Sequence, residues 1–330
     1  MTYIEELLAR RGMLDRFTQA EIQEFQSLVM EVDTNISIDS VILSDENKDK
    51  IKQFLVEQDN REELLRYRLH PMNRLLFYGA SGTGKTYLSK ALGNYMGYDM
   101  LYVDIASSLS DGTVAKNISN IFKLGNALGN CIIFFDEADS IAWNRDSGNA
   151  DSGVVRRATN SLFQNLDQMN KTNVFISATN MLHRLDLAFE RRFNMKLEFK
   201  RPTDIDGAIH KFVYPEFEIL DDVDMDKKEI ILKRALESPK LSFYEIQVIV
   251  ERAMKKAVID RTFKVRTSIV YQDLAIAERI RIHFNSDDET HKGVNEDKET
   301  LIEAVIEPDV QSDYTGDSID DSYAKYSMGY

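Results

Sequence analysis

The run Gly79-Ala80-Ser81-Gly82-Thr83-Gly84-Lys85-Thr86 places three glycines, a lysine and a threonine at a spacing suited to holding a polyphosphate. Such an anion needs several backbone N–H groups converging on it. Glycine lets the main chain approach that closely while it turns into a helix whose N-terminus attracts negative charge. In this G-x-x-x-x-G-K-[ST] spelling the lysine sets a cation against the outer phosphates and the threonine hydroxyl ligates Mg²⁺. The candidate nucleotide-binding residues are Gly79, Ala80, Ser81, Gly82, Thr83, Gly84, Lys85, Thr86 and Tyr87, with Thr86 also a candidate metal ligand.

A second element must exist if the first is real, because the metal and the attacking water both need carboxylates near the terminal phosphate. Cys131-Ile-Ile-Phe-Phe-Asp136-Glu137 supplies it, as an apolar run ending in two acids. Four apolar residues in a row suit a strand buried on both faces of a parallel sheet, and ligands bind at the carboxyl ends of such strands. Asp136 is expected to hold the Mg²⁺ shell and Glu137 to polarise water as a general base. Read alone, two acids after a strand equally suit a solvated turn; beside the phosphate loop they read as a catalytic pair.

With these two elements the chain resembles an AAA-type ATPase of the AAA+ superfamily, over roughly residues 36–284. Val174-Phe-Ile-Ser-Ala-Thr-Asn180 is similar to that family's third catalytic strand, whose terminal Asn senses the γ-phosphate and orients water. Leu185-Asp-Leu-Ala-Phe-Glu-Arg191-Arg192-Phe193 is similar to the stretch carrying arginine fingers. The resemblance implies that Arg191 and Arg192 act in trans on the ATP of a neighbouring subunit in a hexamer; as a bare pattern they equally suit a surface pair in salt bridges. It also implies strand order 5-1-4-3-2, a segment near residues 45–68 beside the adenine, and a helical lid whose third helix often adds an arginine. Here that stretch is Leu241-Ser-Phe-Tyr-Glu-Ile246, without arginine, which favours the AAA branch proper. In place of the pore-loop aromatic of remodelling members stand Ser110 and Asp111, which put processive threading in question.

The elements that must position these residues alternate. Residues 75–78, 100–105, 131–135, 174–178 and 195–199 read as strands, separated by helical patterns such as Leu88, Ala91, Leu92 and Tyr95. The expected fold is α/β: a P-loop NTPase parallel sheet flanked by helices, followed by a small all-α lid domain, with a helical N-terminal extension and an acidic C-terminal tail. Boundaries are set at 1–35 for the extension, 36–203 for the ATPase domain, 204–285 for the lid and 286–330 for the tail. Thr2-x-x-Glu5 and Thr18-x-x-Glu21 are helix-start spellings, and Ile22, Phe25, Leu28, Val29 and Val32 form one apolar stripe, suited to packing on the core or to binding a partner.

Composition narrows the function classes. The net charge is −14, but residues 286–330 carry thirteen acids against three lysines, which is −10 and leaves −4 on the rest. A near-neutral body with an acidic tail gives no footprint for nucleic acid or an anionic membrane, so neither is expected as a partner. No apolar run approaches the roughly 20 residues that span a bilayer, and the first residues lack a signal-like core, so the expected location is cytoplasmic. The lone Cys131 suits a core position, and the five histidines show no zinc-ligand spacing. The tail is expected to be mostly disordered, with Glu299–Ile306 able to form a brief helix, and suits recognition by a basic groove or simple solvation. The sequence thus reads as an ATP- and Mg²⁺-dependent hydrolase, a homo-oligomer that remodels a protein substrate. Its alternative is an ATP-dependent switch or assembly factor controlling a separate effector such as a protease.

Overall fold

In the computed structural model, residues 1–104, 113–138, 152–238 and 241–284 are described. The pore-loop positions Ser110 and Asp111 and the acidic tail lie outside the described residues. The chain starts with α1 (Tyr3–Arg10) and α2 (Gln19–Leu28). Both open on reciprocal capping boxes, in which the side chain of Glu5 or Glu21 accepts from the N-cap N–H at 2.8 Å. This satisfies helix-end donors that would otherwise be orphaned. Helices α3 (Asp45–Asp59) and α4 (Arg61–Arg66) follow, where the sequence suggested one segment; Asn60, at φ −98°, ψ 18°, separates them.

Five strands then alternate with helices: β1 (Arg74–Gly79), α5 (Lys85–Met96), β2 (Asp99–Asp104), α6 (Val114–Leu128), β3 (Cys131–Asp136), α7 (Ser152–Gln168), β4 (Val174–Thr179), α8 (Leu187–Glu190) and β5 (Met195–Phe199). They form one parallel sheet in the order β2-β3-β4-β1-β5, which is the expected order read from the opposite edge. Successive side chains of a strand point to opposite faces, so a sheet covered on both sides needs unbroken apolar runs. Leu76, Cys131, Ile133, Phe135 and Phe175 pack on one face, against α1, α2, α6 and α7. Leu75, Phe77, Ile132, Phe134, Val174 and Ile176 pack on the other, against α3 and α5. The N-terminal stripe belongs to this core: Ile22 and Phe25 are 2% and 1% exposed and pack on the first face, so of its two readings the packing one is what the fold uses.

After Pro202 come α9 (Ile205–Phe212), β6 (Glu218–Leu220), α10 (Met225–Glu237), α11 (Phe243–Ile259), β7 (Lys264–Arg266) and α12 (Thr267–Phe284). This unit has its own core, built on Ile209, Ile231, Ile249, Val250, Tyr271 and Leu274. It is helical as expected, with one addition to the all-α reading. β6 and β7 pair in parallel as a two-stranded ribbon, and at three residues each they are too short to show an alternating pattern. Asp206 ties the unit together. It receives the Tyr271 hydroxyl at 2.5 Å and the Lys228 ammonium at 2.9 Å, the latter being only 8% exposed. Burial opposes ionisation of Asp206, but these donors outweigh it and its pKa lies below the usual carboxylate value. Burial and the adjoining carboxylate push the Tyr271 phenol well above its ordinary range.

Candidate functional site

The phosphate loop runs from the end of β1 into α5, and its glycines are where backbone geometry requires them. Gly79 has φ +142°, and a Cβ there would stand 2.1 Å from the Phe199 carbonyl of β5. Gly84, at φ +99°, turns the chain in a left-handed conformation directly into the first turn of α5. That conformation costs an L residue roughly 1–2 kcal/mol. Thr83, 2% exposed, closes the loop by donating its hydroxyl to Ala80 O at 2.7 Å.

Lys85 is 7% exposed and its ammonium reaches three oxygens at 2.8 Å: Gly79 O, Ala80 O and Asn180 Oδ1. The sequence motif at the end of β1 and the Asn at the end of β4 therefore meet, because those strands are hydrogen-bonded neighbours. Asp136, at the end of β3, faces the first turn of α5. Its Oδ2 accepts the Thr86 hydroxyl at 3.2 Å and its Oδ1 accepts the Glu137 N–H at 3.0 Å. Glu137 is exposed and holds a left-handed backbone at φ +52°. A non-glycine residue there costs about 1–3 kcal/mol and persists where its surroundings over-determine it, often at functional sites.

These side chains surround one cavity of about 400 Å³, lined by Ser81–Tyr87, Asp136, Glu137 and Asn180 from the ATPase domain. Phe212, Phe243, Tyr244 and Gln247 close it from the lid side and Ser40, Val41 and Ile42 from the chain before α3. The resemblance placed residues 45–68 beside the base, and none of them lines the cavity; the chain just upstream does, held by the Ser40–Tyr87 hydroxyl contact at 2.9 Å. The stretch at the start of α11 touches the phosphate loop directly, with the Tyr244 N–H donating to Gly82 O at 3.1 Å. Phe243 and Tyr244 fall in the stretch that the resemblance set near the phosphates, whereas no local motif marks Phe212, Gln247 or the pre-α3 residues, and sequence reasoning missed those. Tyr102 of β2, whose hydroxyl donates to Asp136 Oδ2 at 2.9 Å, was missed for the same reason.

Arg191 and Arg192 do not line the cavity. Arg191 ends α8 with its side chain exposed. Arg192 donates to Ala188 O at 2.8 Å, stacks its guanidinium over the Phe163 ring at 3.9 Å and faces Asp167 at 3.7 Å. The pair is therefore split, one cation outward and one built into the packing of α7 and α8.

Thr86 and Asp136 suit Mg²⁺. Among the described residues no three His, Cys, Asp or Glu side chains gather as a metal cage. Mg²⁺ asks for less than that: one or two protein oxygens, with substrate phosphates and water completing the shell. Bound there, the ion would neutralise phosphate charge. Cys131 is fully buried, and burial pushes its thiol up to about 12, which suits a packing residue and not a nucleophile.

Comparison with known proteins agrees with this geometry. Residues 75–201 match the ATPase family associated with various cellular activities (AAA). A protein named as a 26S proteasome regulatory subunit homologue from Methanothermobacter marburgensis is 31% identical over 253 residues, covering 68% of this chain and 66% of its own. An uncharacterised AAA family ATPase of Sinorhizobium fredii is 29% identical over 228 residues, with the same coverage. An ATP-dependent zinc metalloprotease FtsH 1 of Alkaliphilus metalliredigens is 30% identical over 177 residues, 52% of this chain and 30% of its own. The chain thus spans just under two thirds of the length of the first two relatives and less of the third.

Proposed function

The chain belongs to the AAA family of ATPases and carries that family's ATP-hydrolysing module, and from this premise we propose that it is an oligomeric machine using hydrolysis to remodel a protein substrate or complex. The observation that carries the nucleotide chemistry is the convergence of Lys85, Thr86, Asp136, Glu137 and Asn180 on one cavity. In this reading Lys85 gives up its loop carbonyls to the outer phosphates, Thr86 and Asp136 hold Mg²⁺, Glu137 takes the proton of the attacking water and Asn180 orients it. Arg191 is the better placed finger. It is exposed and outside its own cavity, the position a residue serving a neighbour's ATP must have. A cation there stabilises charge on the transferring phosphoryl group, and it makes hydrolysis depend on assembly. A hexamer and a cytoplasmic location belong to the proposal. Among the described residues no helix is long and apolar enough to cross a membrane.

A second reading is an ATP-dependent switch or assembly factor that controls a separate effector, such as a protease. Two observations favour it: Ser110 and Asp111 stand at the pore-loop positions, and the names of two relatives refer to a proteasome and to a protease. One experiment tests the shared premise and then separates the readings. Glu137→Gln should keep ATP binding and lose at least about a hundredfold in turnover, because it removes the base but keeps size and polarity. An unchanged rate refutes the site. The proteins held by this trap are then added to wild type; a remodeller's ATPase rate rises with its substrate, whereas a switch assembles on its effector without that rise.

A further inference from the structure

Asp136 receives more hydrogen bonds than its place in the motif requires. Oδ2 accepts both the Thr86 hydroxyl at 3.2 Å and the Tyr102 hydroxyl at 2.9 Å, while Oδ1 takes the Glu137 N–H. The two Oδ2 donors are not equivalent. A Thr86 hydroxyl that ligates a metal through a lone pair keeps its proton, but the direction of its bond to Asp136 is then set by the metal, whereas Tyr102 holds Oδ2 from its own strand and the Glu137 N–H holds Oδ1. A carboxylate's terminal torsion is broad, so an unclamped Asp136 would sample orientations that a metal shell cannot use.

Tyr102 is itself held from two sides. Its strand, β2, is the edge of the sheet, and on the inner side Tyr102 pairs in register with Phe134, their rings 5.3 Å apart. On the outer side the N-terminal segment grips the strand. Met30 N–H donates to Tyr102 O at 2.9 Å, the Tyr3 hydroxyl to Met100 O at 3.3 Å, and Arg10 and Arg11 pair with Asp99. An edge strand fastened at Asp99, Met100 and Tyr102 gives the phenol a fixed origin. We propose that Tyr102 is a positioning residue that clamps Asp136 Oδ2 and so presets the carboxylate for Mg²⁺, with the N-terminal segment fixing the strand from which it reaches.

This rests on the reading of Asp136 as the Mg²⁺-holding carboxylate, and the test separates the two. In the full chain, binding of a fluorescent ATP analogue is measured with Mg²⁺ and with EDTA. Wild type should bind more tightly with Mg²⁺. Tyr102→Phe should keep its EDTA affinity and melting temperature but lose about ten- to hundredfold of the Mg²⁺ enhancement, the effect of losing one hydrogen bond to a charged group. In an Asp136→Asn background the same substitution should change nothing further. An enhancement that is intact in Tyr102→Phe, a loss equal in Mg²⁺ and EDTA, or a further loss in the Asp136→Asn background each overturns the clamp. A wild type indifferent to Mg²⁺ overturns the metal reading itself, and the clamp with it.

Discussion

Replacing Gly82 with alanine would drive a methyl group from the phosphate loop into the lid. A Cβ built there lies 2.5 Å from Ser242 Oγ and 2.9 Å from Ser242 Cβ, while the Gly82 carbonyl holds the Tyr244 N–H at 3.1 Å. Two costs follow and they fall on different observables. Gly82 has φ +72°, and alanine in that region costs roughly 1–2 kcal/mol whether the lid is near or far. That part appears as lost stability. Overlap with Ser242 costs about 1–3 kcal/mol, as overpacking generally does, and is relieved if the lid withdraws. The lid has its own core, so withdrawal is its easiest response. It opens the cavity that Phe243, Tyr244 and Gln247 close, and at tenfold per 1.4 kcal/mol nucleotide affinity should fall by about five- to hundredfold. Adding Ser242→Gly removes both clashing atoms and should restore most of the affinity while leaving the melting temperature low. Calorimetric titration with ATP and thermal melting of wild type and the two variants read both quantities. Affinity that Ser242→Gly does not restore would mean that the methyl group collides with the nucleotide and not with the lid, and would refute the reasoning.

The other expectations concern charge. Arg191→Ala should leave the melting temperature unchanged and lower turnover on the order of 10³-fold, with partial recovery when mixed with Lys85→Ala subunits; no recovery despite co-assembly refutes action in trans. Arg192→Ala should instead cost about 1–3 kcal/mol of stability, because it removes the cation over Phe163 and the bond to Ala188 O. The lid's stability should depend on Asp206. Its folded pKa is lowered, so its contribution is full above the unfolded value, about 3.9, and is lost as pH falls through the lower folded value. Asp206→Asn should flatten that acid limb in a pH series of melting curves. Truncation after Ser286 should leave the melting temperature and basal ATPase rate intact; a truncated protein that misfolds refutes a merely appended tail.

What the sequence made legible follows from how local the physics is. The inner strands are short apolar runs because both faces are covered, and Cys131–Phe135 or Val174–Ala178 could be placed to within a residue. Caps are equally local: Thr2 with Glu5 and Thr18 with Glu21 close within one turn. The ribbon of β6 and β7 was not legible, since Glu218–Leu220 and Lys264–Arg266 are joined across 43 intervening residues and neither shows a pattern alone.

The site divides along the same line. Asp136, Glu137 and Asn180 sit at the carboxyl ends of adjacent strands or just after them, and Lys85 and Thr86 open the helix that follows the neighbouring β1, so strand order brings them together. Tyr102 reaches that centre by a longer route. Its side chain must be carried to Asp136 by the pairing of an edge strand, and Asp104 and Asp136 lie opposite each other only in the register observed. A one-residue slip of β2 would turn Tyr102 to the other face of the sheet and break its bond to Asp136. The contacts of Met30, Tyr3, Arg10 and Arg11 oppose that slip, so the N-terminal segment, which carries no catalytic motif, helps to set the geometry of a carboxylate some hundred residues further along the chain.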